Sequence, residues 1–516
     1  MNSYIRKQSV LYIVVMLVSI AAAYAGGEEE TTSSVPEGAI AGDLILKEGI
    51  YDYGGEYPAD LGTLVVPENR SDTSSRLIAV PVVRIPAVID QPKEPIFVLQ
   101  GGPGISNINF GQVSFYHENH DVVIVGYRGV DGSVVLDCPE IDNHYVNYKG
   151  DVVSSEGIEA STEAHAACAK RLTEEGIDLE GYTFAEVVED VETVRKAFRY
   201  ERINLISESI GTRIAMYYSW KHPDMVHRSA MVGVNPPGRT VYDPEMIDKQ
   251  IDFYTRLCAE DPNCSARTDN LGESIRVALQ NIPEYWLGIP LYPGNLKWFT
   301  FELLQNTSAA AQIFDVWLAA AEGDYSGMAL MSLIGAGAMA GSVVWGENTA
   351  KFTSMGDYDY NLNYAELMNP PGSYIGSPRS MVADATAVWP RKPIAEEYRS
   401  PQSSDIETLI VNGTIDFHTP AQYATEELMP LLSKGQEVIL ADFGHVGDLY
   451  FIQPEAMERL LSSFFATGVA DDSLFEHNTV NFDPGLGFPA IAKIGLGAIV
   501  TVLLGATALT LVLLLS

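Results

Sequence analysis

Between Ile203 and Trp220 the chain changes its period within a single turn. Ile203 to Ile206 is a short apolar run that reads as a strand, and Thr212 to Trp220 has helical spacing. Only Ser207-Glu208-Ser209-Ile210-Gly211 lies between them, so a strand ends, one turn follows and a helix begins. The same alternation recurs along the chain. Leu64 to Val66, Leu77 to Val83, Ile96 to Leu99 and Val122 to Val125 read as strands, and Val187 to Phe198 as an amphipathic helix. This pattern predicts an α/β fold, a mostly parallel sheet with helices on both faces. After Pro236-Pro237-Gly238 the apolar patterns become long and helical, as at Ala309 to Ala321 and Met328 to Ala340. Strand-like runs return at Thr408 to Val411 and Glu437 to Leu440. A helical cap inserted into the sheet domain is therefore expected over 239–400.

The turn at Ser209 has chemical content. In a G-x-S-x-G elbow, small residues flanking the serine allow a strained turn that lifts its hydroxyl above the sheet at a helix N-terminus. Here Ser207 replaces the first glycine and Gly211 keeps the second. By itself the segment also reads as a helix N-cap. A second segment, Phe97 to Gly104, is a strand running into Gln100-Gly101-Gly102-Pro103-Gly104. Glycines let backbone N–H groups approach a developing oxyanion, and Gly102 and Ile210 are the expected oxyanion-hole donors. A phosphate loop is the rival reading, but no G-K-[ST] and no G-x-G-x-x-G follows. Two further strand ends complete the set: Leu409 to Asp416, and Val438 to His445 with Gly444-His445. Open α/β sheets bind ligands at the carboxyl ends of their strands. The order Ser209, Asp416, His445 predicts a nucleophile, an orienting acid and a base.

Acidic residues outnumber basic ones 68 to 32, giving a net charge of −36. Such a surface disfavours nucleic acid and anionic lipid as partners. Arg6 and Lys7 precede an apolar run from Val10 to Ala23, followed by Ala23-Tyr24-Ala25. This reads as a signal peptide over 1–25, with an uncleaved anchor as its rival, and 26–43 as a linker. Ile494 to Ser516 has no charged residue over 23 positions. That is enough to span a membrane as a C-terminal helix, although a removed GPI-attachment tail has the same pattern. Residues 470–493 read as a linker to it. Four cysteines in an exported chain suggest two disulfides. Three connectivities are open, and the simplest joins Cys138 to Cys168 and Cys258 to Cys264. No metal or cofactor is expected: no CxxC pattern exists, and the H-x-x-H of His117 and His120 has no acidic ligand pattern nearby.

Taken together, Gln100 to Gly104, Gly126-Tyr127-Arg128-Gly129 with Asp131-Gly132, the Ser209 elbow, Gly413 to Pro420 and Asp442 to His445 resemble the proline iminopeptidase and tripeptidyl aminopeptidase branch of the α/β-hydrolases. The resemblance covers about residues 44–467. It implies a core in two parts, 44–238 and 401–469 (the latter TAP-like), and the same disulfide pairs. It also implies aminopeptidase activity on peptides with a free N-terminus. In such enzymes cap carboxylates grip the substrate amine; Glu273, Glu284, Glu302 and Glu322 are candidates here. Three positions depart from the family pattern: Gln100 for histidine, Ile210 for an aromatic residue and Ser207 for glycine. His418, two residues past Asp416, is expected to pack in its loop. A carboxylesterase or lipase-like hydrolase with the same triad is the main alternative, and a non-catalytic receptor the second. The expected location is the extracytoplasmic face of a membrane.

Overall fold

The computed structural model describes residues 34–496. The expected signal peptide, the start of the 26–43 linker and residues 497–516 of the expected spanning helix lie outside them. Among the described residues no helix is long and apolar enough to cross a membrane.

Nine strands form one sheet. They are β1 (Leu44–Asp52), β2 (Glu56–Pro67), β3 (Leu77–Ile85), β4 (Lys93–Leu99), β5 (His120–Val125), β6 (Ile203–Glu208), β7 (Val226–Val232), β8 (Glu407–Gly413) and β9 (Gly435–Leu440). Their spatial order is β1-β2-β3-β5-β4-β6-β7-β8-β9. The first three strands and the β3–β5 contact are antiparallel, and every pairing from β5 to β9 is parallel. The apolar runs of the parallel strands reflect burial on both faces. In β4, Phe97 and Leu99 face one core while Ile96 and Val98 face the other; Val123 and Ile124 divide likewise in β5.

Helices cover both faces. On one side lie α3 (Phe184–Phe198) and α4 (Gly211–Lys221), through Val188, Val191, Ile214 and Tyr218. Thr183 caps α3 by accepting from Glu186 N–H. On the other side α11 (Pro454–Thr467) packs through Met457, Leu460 and Phe464. Arg128, fully buried after β5, donates to both oxygens of Asp190 on α3 at 2.7 Å and ties the Gly126–Gly129 loop to that helix.

Before α3 the chain makes an excursion through α1 (Pro139–Asn147) and α2 (Ser155–Glu174), which the Cys138–Cys168 disulfide joins. Leu136, Ile141 and Leu172 there share a core with Trp298, Met339 and Trp389. The roof over the sheet therefore has two sources, the α1–α2 excursion and the helices between β7 and β8. The latter include α5 (Pro244–Glu260), α6 (Leu271–Asn281), α7 (Pro293–Leu303), α8 (Ala310–Ala321), α9 (Ser326–Met339) and α10 (Trp345–Met355). A second disulfide, Cys258–Cys264, closes the end of α5.

The stretch read as a linker at 470–493 is packed instead. Val480, Phe482 and Phe488 are buried in the cap core beside Tyr254, Phe314 and Trp317. Gln312 Nε2 donates to Pro484 O (2.7 Å) and Ser326 Oγ to Pro489 O (3.2 Å). Three apolar anchors outweigh the polar, glycine-containing sequence around them.

Candidate active site

Ser209 follows β6 directly, and its φ of +49° lies in the left-handed region that a non-glycine residue rarely occupies. The turn is held at both ends. Ser209 N–H donates to Val232 O (2.9 Å), extending the ladder to β7, and Thr212 Oγ1 donates to Ser209 O (2.6 Å). Gly211 is required here because a Cβ would stand 2.1 Å from Leu99 O. Ser207 costs the elbow little: its hydroxyl is buried and donates to Ala230 O (3.3 Å).

Asp416 lies in the loop after β8 and is fully buried. Its Oδ1 accepts from the N–H groups of His418 and Thr419, both at 2.8 Å, and its Oδ2 from Thr419 Oγ1 at 2.7 Å. Burial alone would raise its pKa. The charge and hydrogen bond of His445, with the bonds from Thr419, outweigh that and hold the carboxyl below its ordinary range. His445 follows β9, with Nδ1 2.7 Å from Asp416 Oδ2 and Nε2 2.9 Å from Ser209 Oγ. An ionised carboxylate only accepts, so Nδ1 carries the proton and Nε2 is left to accept from the serine hydroxyl. The three residues form one connected relay.

Gly102 and Ile210 line one cavity together with Ser209. Among the described residues neither N–H has a protein acceptor. Gln100, standing where the family has histidine, braces this loop through Nε2, which donates to Asn107 O (2.7 Å).

Ser209 sits where two cavities meet. The smaller, about 110 Å³, has aromatic walls including Tyr145, Tyr242 and Trp345. The larger, about 520 Å³, borders His445, Glu208 and Glu302. Of the four cap carboxylates considered, Glu302 alone lines it. Glu273 and Glu322 are exposed and pair with Arg276 and Arg267, and Glu284 is exposed. Arg379, which the sequence did not single out, faces both cavities and pairs with Glu302 at 3.2 Å. His418 packs as expected, stacked on Phe301 with centroids 4.9 Å apart. Burial and the neighbouring His445 push its pKa well down. Glu208, also missed in the sequence, has its pKa raised to about 7 by burial.

Two family models match the chain: one described as alpha/beta hydrolase fold over residues 94–261, the other as TAP-like protein over residues 373–475. The serine protease Hip1 of Mycobacterium tuberculosis and that of Mycobacterium bovis are each 25% identical to it over 229 residues. That match spans 40% of this chain and 43% of each relative, less than half their length. Among solved structures, the carboxylesterase CesB of Bacillus subtilis is 12% identical with a TM-score of 0.34, covering 82% of this chain and 93% of that one. The 2-hydroxy-6-oxo-6-phenylhexa-2,4-dienoate hydrolase of a Rhodococcus strain is also 12% identical, with a TM-score of 0.37, covering 82% and 100%. With the sheet, the inserted cap and both family matches in agreement, this chain has the α/β-hydrolase fold, and its C-terminal part is similar to TAP-like proteins.

Proposed function

We propose that this hydrolase is an exported aminopeptidase that works through an acyl-enzyme on Ser209. Ser209 Oγ attacks the substrate carbonyl as His445 Nε2 takes its proton. Asp416 holds the imidazole in the required tautomer and stabilises its charged form. The N–H groups of Gly102 and Ile210 receive the oxyanion, a contribution of about 3–4 kcal/mol per donor in comparable sites. His445 then protonates the leaving amine, and water enters to release the acyl group.

Glu302 carries the aminopeptidase reading, because it is the cap carboxylate on the wall of the cleft that holds Ser209 and His445. It would accept the free amine of the substrate. Arg379 offsets part of its charge, and that pairing favours the second reading, an esterase with no need for an amine. The two disulfides support export. Attachment to the membrane through 494–516 is part of the same proposal.

The test uses peptide amides with a free amine, the same peptides N-acetylated, and short-chain esters, with Ser209→Ala as control. Serine-dependent cleavage confined to the free-amine peptides supports the aminopeptidase. Ester cleavage with the peptides untouched replaces it by the esterase.

A further inference from the structure

The loop that carries Gly102 is braced at its two ends by the sheet domain and at its centre by the cap. At the ends, Gln100 N–H donates to Asn107 Oδ1 (2.8 Å), Tyr127 Oη to Gln100 O (2.9 Å) and Ser106 Oγ to Asp131 Oδ1 (2.6 Å). At the centre the partners all come from α10 and the residue before it. Gly104 N–H donates to Glu347 Oε2 (2.5 Å), Val344 N–H to Gly104 O (2.8 Å) and Asn348 Nδ2 to Pro103 O (3.0 Å). The approach is close enough that a Cβ on Gly104 would lie 2.8 Å from Val343 Cβ and 2.9 Å from Val344 O.

Glu347 is an unusual residue for this place. It is 1% exposed, and its other oxygen is 2.6 Å from Lys351 Nζ, itself 2% exposed. A buried ion pair stabilises a fold weakly, since desolvation offsets most of the attraction. Here one oxygen of the pair is spent on a backbone N–H two residues from the expected oxyanion donor. A carboxylate makes a shorter and stronger acceptor than a neutral group would.

We infer that Glu347, oriented by Lys351, is a positioning residue for the oxyanion hole: the cap helix α10 fixes the loop that aims Gly102 N–H at the reacting carbonyl. The inference rests on Gly102 being an oxyanion donor, and it holds whether the substrate is a peptide or an ester. The oxyanion hole is then completed by the cap, so a displacement of α10 weakens catalysis without touching Ser209, His445 or Asp416.

The experiment compares the full chain with Glu347→Ala and Glu347→Gln on whichever substrate the wild type cleaves in a Ser209-dependent way. Phenylboronic acid serves as a tetrahedral probe and the acid product as a ground-state probe. Glu347→Ala is expected to lower kcat roughly 10- to 100-fold with KM within about threefold, because a misaimed donor is felt mainly in the transition state. Phenylboronic acid should weaken with kcat, and product affinity should hold. Glu347→Gln, which keeps an acceptor for Gly104 N–H, should recover part of the loss. If Glu347→Ala fails to fold with Lys351 left unpaired, the pair Glu347→Leu with Lys351→Met removes both charges and keeps the packing; the same kcat loss is expected there. Unchanged kcat in a folded variant overturns the inference, as does a loss confined to KM. A wild type without Ser209-dependent turnover would instead overturn the proposed function.

Discussion

The backbone N–H of His445 donates to Gln305 O at 2.7 Å, so the residue expected to move the proton is held by the cap. Asp448 reinforces the joint. It is buried, and its Oδ2 accepts from Gly444 N–H (2.9 Å), Thr307 N–H (2.8 Å) and Thr307 Oγ1 (2.7 Å). Asp448→Ala leaves two buried N–H groups without an acceptor. A destabilisation of about 2–4 kcal/mol is expected from that loss. Urea unfolding measures it, and kcat should fall with it as the His445 loop loosens.

Asp416→Asn tests the relay at its buried end. An amide there can present its NH₂ group to Nδ1, which favours the wrong imidazole tautomer for accepting the serine proton. A fall in kcat of about 10⁴-fold is expected, as for this change in other serine relays. Steady-state rates against Ser209→Ala measure it, and a fall under tenfold would remove Asp416 from the role.

The two disulfides should differ in weight. Cys138–Cys168 closes a sequence separation of 30 and Cys258–Cys264 one of 6. Chain-entropy estimates give about 3.5 kcal/mol for the first and about 2 kcal/mol for the second. Thermal melts of Cys138→Ser/Cys168→Ser and Cys258→Ser/Cys264→Ser should rank in that order.

Much of the core was readable because the parallel strands are buried on both faces and therefore read as unbroken apolar runs. Ser209, Asp416 and His445 were readable because each lies a few residues past such a run. The edge strand β1 was not read: much of it is exposed, and Lys47, Glu48 and Gly49 interrupt its apolar pattern. Arg379, Glu347 and Lys351, unlike Glu302, left no local signal. Glu347 and Lys351 stand four apart on a helix, the spacing of an ordinary surface pair. Only tertiary packing buries them against Gly104. The 470–493 segment misled for the complementary reason, since its buried side chains, Val480, Phe482 and Phe488, follow neither a helical nor a sustained strand period and stand among Asn, Asp, Gly and Pro.

Glu302 separates the two functional readings in one variant. If it binds the substrate amine, Glu302→Gln should raise KM for free-amine peptides roughly tenfold, equivalent to about 1.4 kcal/mol of lost binding. Hydrolysis of short-chain esters should change little. Equal effects on both substrate classes would mean that Glu302 acts by holding Arg379.

Glu208 sets a dependence of stability on pH. Burial raises its pKa from 4.5 to about 7, against smaller opposing contributions from Tyr450 and His445. A carboxyl raised on folding binds more protons in the folded than in the unfolded state between those two values. Its contribution is therefore unfavourable at high pH: stability falls as pH rises from about 4.5 to about 7 and stays lower above that. Glu208→Gln cannot ionise and removes this loss. The variant should gain stability over the wild type at pH 8 and gain little at pH 4, which melts at the two pH values will measure. An equal shift at both would assign the effect to packing against Tyr450 instead of to the charge.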